Sequence, residues 1–251
     1  MSAQPLRLRT AASDSMDDRP AREHQVPRHV AVILDGNRRW AAAHGQPLRK
    51  AYRRGGKRVG RLLEWCDEAG VRYLTVWALS PDNFRRHPEE VTAVVDAVTA
   101  GLVAIAAGRR WPIRLIGDLE QLPAHHTARL RAIERETAEA EGTTLNVALA
   151  YSGRHDIVQA VRAMMRHRTD TGADSTVPTE HLLSQHLSTA GQPDPELVIR
   201  TSGEQRLSGF MPWQTAHAEL YFTEVPWPAF DKNDFDVALH WYAHRQRRHG
   251  K

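Results

Sequence analysis

Cysteine is almost missing from this chain: Cys66 is the only one in 251 residues. A single thiol forms no internal disulfide and leaves too little thiolate for a cysteine-based zinc site, which points to a reducing compartment. Long apolar runs are missing too, with nothing near the ~18 residues of a membrane span. The opening MSAQPLRLRTAASDSMDDRPAREHQ has no apolar stretch of the kind a secretory leader needs. The expectation is a cytoplasmic protein with at most peripheral membrane contact.

Several motifs are also absent. There is no GxxxxGKS or GxxxxGKT for a phosphate-binding loop, and no GxGxxG behind a strand for a dinucleotide. GxSxG and HExxH are missing, which removes the usual α/β-hydrolase and zincin readings. The 14 histidines are scattered rather than grouped as ligands. No RNP, zinc-finger or KH motif accompanies the basic charge, so no nucleic-acid partner is expected.

Acidic residues are missing locally. Between Asp35 and Glu64 lie nine Lys and Arg with no acid, and after Asp236 four more, again with none. Clustered positive charge draws anions such as nucleic acid, an anionic membrane or small phosphorylated ligands. The composition, 41% hydrophobic and 25% charged, is that of a globular protein and excludes a wholly disordered chain.

Residues 1–27 lack apolar periodicity and read as a loose tail, leaving 28–251 as one domain. Six short apolar runs read as buried strands: HVAVILD (29–35), YLTVWALS (73–80), IRLIGD (113–118), TLNVALAYS (144–152), ELVIRTSG (196–203) and AELYFTE (218–224). Between them the period becomes helical. Tyr52, Val59, Leu62, Leu63 and Cys66 share one face of a segment ending at Gly70, and 88–107 opens on Pro88-Glu89-Glu90. Further helices are expected over 122–141, 153–167, 178–188 and 232–247, with a surface loop over 167–177. Strands alternating with helices predict an α/β fold with a mostly parallel sheet covered on both faces.

In such sheets ligands bind beyond the carboxyl ends of the strands. There the sequence sets Asp35-Gly36-Asn37-Arg38-Arg39-Trp40, then Ser80-Pro81-Asp82-Asn83-Phe84-Arg85-Arg86, then Arg200-Thr201-Ser202-Gly203-Glu204-Gln205-Arg206-Leu207-Ser208. Singly, each has a structural reading: Asp-Gly-Asn as a turn, Ser-Pro-Asp as a helix cap, Arg200 as a salt-bridge partner. Together they are expected to gather Arg39, Arg86, Arg200 and Arg206 beside Asp35 and Glu219. Guanidinium forks with isolated carboxylates suit a diphosphate–Mg²⁺ site, and Gly36 and Gly203 would let backbone N–H groups approach the phosphates.

HVAVILDGNRRWA resembles the first signature of the cis-prenyltransferases, the undecaprenyl diphosphate synthase family. TVWALSPDNFRR, TLNVALAYSGRHDIV, PDPELVIRTSGEQRLSGFMPWQ and AELYFTEVPWPAFDKNDFDVAL carry the likeness from about Pro27 to Gly250, and Arg248-His249-Gly250 resembles a terminal Arg-x-Gly element. The resemblance implies a homodimer with an apolar tunnel. It implies condensation of isopentenyl diphosphate with an allylic diphosphate, such as geranyl or farnesyl diphosphate, to a Z-polyprenyl diphosphate of short or medium length. It further implies that Asp35 holds Mg²⁺ and the allylic diphosphate with Gly36, Asn37, Arg38, Arg39 and Trp40. Arg200, Arg206 and Ser208 would bind isopentenyl diphosphate, and Arg248 would serve as a further substrate contact. Glu219 would complete the metal site from the adjoining subunit's side. Ser80, Asn83, Phe84 and Arg86 would orient or deprotonate substrate.

Three positions depart from the long-chain pattern: Tyr52 where those enzymes carry a histidine, Arg38 in place of a second glycine, and Asp82 in the usual Glu position. DGNRRWA with Tyr52 resembles the short-chain actinobacterial type, whereas small Ala78, at an expected tunnel position, argues for room. Trp77, Leu79 and Val94 are expected near the apolar cavity. The alternatives are a branched coupling of two allylic units on the same fold, or a non-catalytic subunit of a heteromeric enzyme.

Overall fold

The computed structural model describes residues 26–171 and 179–245. The expected tail therefore lies outside the described residues save at its end, where Pro27 is already buried. All six expected strands form: β1 (His29–Ile33), β2 (Tyr73–Trp77), β3 (Ile113–Ile116), β4 (Thr144–Ala148), β5 (Leu197–Arg200) and β6 (Glu219–Phe222). They make one sheet in the order β3-β4-β2-β1-β5-β6, and every neighbouring pair is parallel. The expectation of a mostly parallel sheet thus becomes a wholly parallel one. Placing β1 at the centre puts its carboxyl end between those of β2 and β5.

The helices are α1 (Asn37–Ala43), α2 (Leu48–Ala69), α3 (Pro88–Ala106), α4 (Ala124–Glu136), α5 (Gly153–Thr171), α6 (Glu180–Ser184) and α7 (Lys232–Ala243). α5 runs into the expected 167–177 loop, and 172–178 lies outside the described residues. α1 was expected as a turn. Gly36, at φ +100°, reverses the chain in one residue, so the helix starts directly behind the strand. A Cβ there would lie 2.6 Å from Ser202 Oγ and 2.8 Å from Pro226 Cβ, so no other residue fits.

Alternating strand positions feed two cores. Val30, Val32, Leu74 and Val76 pack with α2 and α3, while Ala31, Ile33 and Ala148 pack with Tyr151 and Phe210 on the opposite face. Trp77 stacks on Phe210 at 5.2 Å on that second face, and Leu79 is buried core, so of the three expected cavity residues only Val94 lines it.

The second face also carries a buried polar row. His29 Nε2 meets Thr75 Oγ1 at 2.8 Å, Asn146 Nδ2 donates to Thr75 Oγ1 at 2.9 Å, and Asn146 and Gln192 bond reciprocally at 2.6 and 3.0 Å. His29 Nδ1 lies 2.7 Å from the Pro193 carbonyl, which places the proton there and leaves Nε2 to accept. Burial pushes the His29 pKa down from 6.5 to about 4. The unfolded chain therefore binds a proton that the fold refuses between those values. Stability is complete above about pH 6.5 and falls with acidification by up to ~1.4 kcal/mol per pH unit. Melting temperatures from pH 7 to pH 4.5 should show this loss, and His29→Gln should flatten it.

Candidate active site

Asp35 follows the end of β1, and the surrounding chain fixes it from both sides. Its carbonyl accepts from Thr201 Oγ1 at 2.7 Å and Trp227 N–H at 2.8 Å. Its Oδ1 accepts from the Gly36 amide at 2.6 Å, and its Oδ2 accepts from Arg200 Nη2 at 3.0 Å. Arg39 stands 3.5 Å from Oδ1. Arg200 is itself buried at 5% exposure, its Nη1 donating to the Arg206 carbonyl and, at 2.9 Å, to Ser208 Oγ. A buried guanidinium thus braces a carboxylate that stays 30% exposed to the cavity.

That cavity, of about 530 Å³, lies between the sheet, α2 and α3. Its mouth holds Asp35, Asn37, Arg38, Arg39, Arg86 and Arg206, and Val59, Val76, Val94, Leu102 and Val147 line its apolar half. Ala78 lines it as expected. Two atoms here are buried without a hydrogen-bond partner: Asn37 Oδ1 and Arg200 Nε. A carbonyl oxygen and a guanidinium N–H left bare beside one carboxylate suit a cation and an oxyanion respectively, because an unmet buried polar group costs ~1–3 kcal/mol.

The expected phosphate-facing glycines work differently. The Gly36 amide is spent on Asp35, and a Cβ on Gly203 would lie 2.4 Å from Glu224 Oε2. At both, the space saved is taken by protein. Ser80 and Asn83 close the turn Pro81–Arg85: Asn83 Oδ1 accepts from the Ser80 amide at 3.1 Å, which leaves only its NH₂ for the cavity. Trp40 stacks on His44 at 4.4 Å in a small separate core, and Phe84 packs on the main one; neither lines the cavity. Arg248 lies outside the described residues.

Glu219 does not join Asp35. It opens β6 and pairs with Leu197, whereas Asp35 lies past Ile33, which pairs with Arg200. At about 3.3 Å per residue, the two carboxylates are roughly 16 Å apart along the strands. Glu219 instead accepts from Arg245 Nε at 2.8 Å, at the opposite end of the sheet. The two had been expected together because both flank strands, but one ends its strand and the other begins it.

Two carboxylates that the sequence reading left without roles do enter the site. Glu204 bonds Arg206 and stands 3.7 Å from Arg39, bridging two cations. Glu90 Oε1 accepts from Tyr52 OH at 2.8 Å and from Arg86 Nη1 at 3.1 Å. The Tyr52–Glu90 pairing spans α2 and α3, so no local signal showed it. Burial, and after it the Glu90 carboxylate, pushes the Tyr52 phenol well above its ordinary pKa. Tyr52 is a hydrogen-bond donor at neutral pH and cannot take a proton as a histidine would. Tyr52→Phe should therefore leave the pH–rate profile unshifted and cost less than about tenfold in kcat/KM. Glu90→Gln, which frees both Tyr52 and Arg86, should cost more.

The family described as putative undecaprenyl diphosphate synthase matches residues 33–250. The chain belongs to this family. It is 45% identical to Isoprenyl transferase 1 of Streptomyces avermitilis, over 90% of each chain. It is also 45% identical to the (2Z,6E)-farnesyl diphosphate synthase of Mycolicibacterium smegmatis, over 90% of this chain and 89% of that one. Among solved structures, lavandulyl diphosphate synthase from Lavandula x intermedia, in complex with dimethylallyl diphosphate, superposes with a TM-score of 0.85. It is 32% identical, over 90% of this chain and 99% of that chain. Among the described residues of this cis-prenyltransferase, no helix is long and apolar enough to cross a membrane.

Proposed function

We infer that this cis-prenyltransferase joins isopentenyl diphosphate to an allylic diphosphate. The carrying observation is one cavity with a carboxylate and four cations at its mouth and an apolar interior behind them. The allylic head would sit at Asp35 and Arg39, its tail running toward Val94, Leu102 and Val147 as in a tunnel. Arg206, with Arg200 and Ser208 behind it, would hold isopentenyl diphosphate.

The chemistry asks for three things. The allylic C–O bond breaks with its electron pair going to the departing diphosphate, and fixed guanidinium groups stabilise that charge without reorganising. Holding the alkene against the allylic carbon supplies orientation as the new C–C bond forms. The extended chain then loses one proton, and Tyr52 is not the group that receives it. Mg²⁺ fits the Asp35 carboxylate together with substrate phosphate oxygens, and bound there it would neutralise charge on the leaving group.

A homodimer belongs to the same reading, supported by Val158 and Met165, exposed at 46% and 60% on α5. Glu219 can share a metal with Asp35 only if a second copy brings it. Mixing inactive Asp35→Ala and Glu219→Ala chains should then restore activity in the mixed dimers. We place the protein in the cytoplasm, where its lone, buried thiol stays reduced.

The deciding experiment supplies labelled isopentenyl diphosphate, Mg²⁺ and either geranyl or farnesyl diphosphate, with mass spectrometry of the products. Extension by one or a few five-carbon units is expected. Coupled allylic units without label would establish the branched reaction instead, and no turnover by the purified chain would indicate a non-catalytic subunit.

A further inference from the structure

A second cavity, of about 620 Å³, lies along the outer side of α2 and α3. One flank is a row of exposed cations on α2: Arg49, Arg53, Lys57 and Arg61, four residues apart and so on one helix face. The row is about 18 Å long. Arg61 pairs with Glu64 at 2.9 Å, but Arg49, Arg53 and Lys57 have no hydrogen bond or ion pair among the described residues. Nearby Asp96 is engaged with His126 Nε2 at 3.3 Å. The floor is apolar, formed chiefly by Ala97, Ala100, Ala104, Ile105 and Trp111. Three unneutralised like charges beside an apolar trough repel one another, and an anion carrying a hydrocarbon tail relieves both features.

This groove shares a wall with the active-site cavity, since Gly56, Ala97, Gly101 and Ile105 line both. A Cβ on Gly56 would sit 2.9 Å from the Ala97 carbonyl oxygen, so here the wall is little thicker than two helix backbones. The cation row and the small-residue floor lie on its outer side. No large apolar side chain is exposed at the rim: those described as exposed are Val26, Val158, Met165, Leu220 and Val237. Without such an anchor, a concave trough suits a single chain better than a flat bilayer, and its volume is in the range of small-ligand sites.

We propose that this outer groove is a second, non-catalytic binding site for one prenyl diphosphate. Its diphosphate lies on Arg49, Arg53 and Lys57, and its tail lies along Ala100, Ala104 and Trp111. The choice of ligand class rests on the reaction inferred above, whereas the site itself rests on the cation row and the trough.

The test titrates the full chain with farnesyl thiolodiphosphate, whose sulfur link resists ionisation, by calorimetry at 0.15 M salt. Two molecules should bind per chain. The double variant Arg49→Glu/Arg53→Glu should weaken the second site by about tenfold or more, and Ala100→Trp, which fills the trough, should abolish it. Both variants should melt as the parent does and keep its turnover at low substrate. Inorganic diphosphate, lacking a tail, should leave the second site open, and Ala100→Trp should not alter co-sedimentation with phosphatidylglycerol vesicles.

One molecule per chain in the parent, or two retained in both variants, overturns the groove assignment and leaves the catalytic reading intact. Loss of vesicle binding in Ala100→Trp with unchanged farnesyl stoichiometry also overturns it, in favour of a membrane surface. No binding at either site overturns both readings.

Discussion

Asp35→Ala should lower kcat by at least about 100-fold, because the carboxylate acts on charge that develops as the allylic bond ionises. The loss is not purely electrostatic. Asp35 Oδ2 is the acceptor for Arg200 Nη2, and Arg200 is 5% exposed, so the alanine variant leaves a buried guanidinium short of its counter-charge. A lower melting temperature is expected with the lost turnover. Asp35→Asn separates the two effects, since its carboxamide oxygen can still accept from Arg200 while its charge is gone. If Asp35→Asn melts near the parent yet turns over near the alanine rate, the charge is what catalysis uses. Near-parent kcat in both variants removes Asp35 from the chemistry.

Arg200→Ala should raise the KM for isopentenyl diphosphate by roughly 10- to 100-fold, the range for one charge-assisted pair worth ~1.5–3 kcal/mol. The sequence alone suggests that the allylic KM would hardly move. The structure alters that expectation, since the same guanidinium braces Asp35, the Arg206 carbonyl and Ser208. Both Michaelis constants should therefore rise, that for isopentenyl diphosphate more, and kcat should fall with them. Arg200→Lys should not restore either, because one ammonium cannot replace a fork that meets three acceptors. Michaelis constants for both substrates at saturating Mg²⁺ decide the matter. If only the allylic constant rises, the two diphosphate subsites are assigned the wrong way round.

What the sequence by itself determined was local. Runs such as HVAVI and TLNVA are apolar at every or nearly every position, and Val59, Leu62, Leu63 and Cys66 recur at helical spacing, so six strands and most helices were legible from periodicity. The family was legible for a related reason: its signatures are contiguous stretches, and DGNRRWA or RTSGEQR needs no partner to be read. Even Asp35, Arg39, Arg86 and Arg206 could be expected at one end of the sheet, because a residue at the carboxyl end of a parallel strand stays at that end whatever the strand order.

Only the tertiary structure decided features that depend on pairs distant in sequence. Glu219 begins its strand, and the β5–β6 register puts it far from Asp35. Glu90 became part of the site because α3 brings it within 2.8 Å of the Tyr52 hydroxyl on α2. Arg200 became a brace because the β1–β5 pairing sets it against Asp35. Helix α1 was hidden behind a glycine whose φ no pattern reveals, and the cation row acquired a trough only when α2 and α3 closed together at Gly56. Periodicity is a property of one segment and its burial. Register, helix contact and ion pairing arise between segments, and packing of the whole chain selects them.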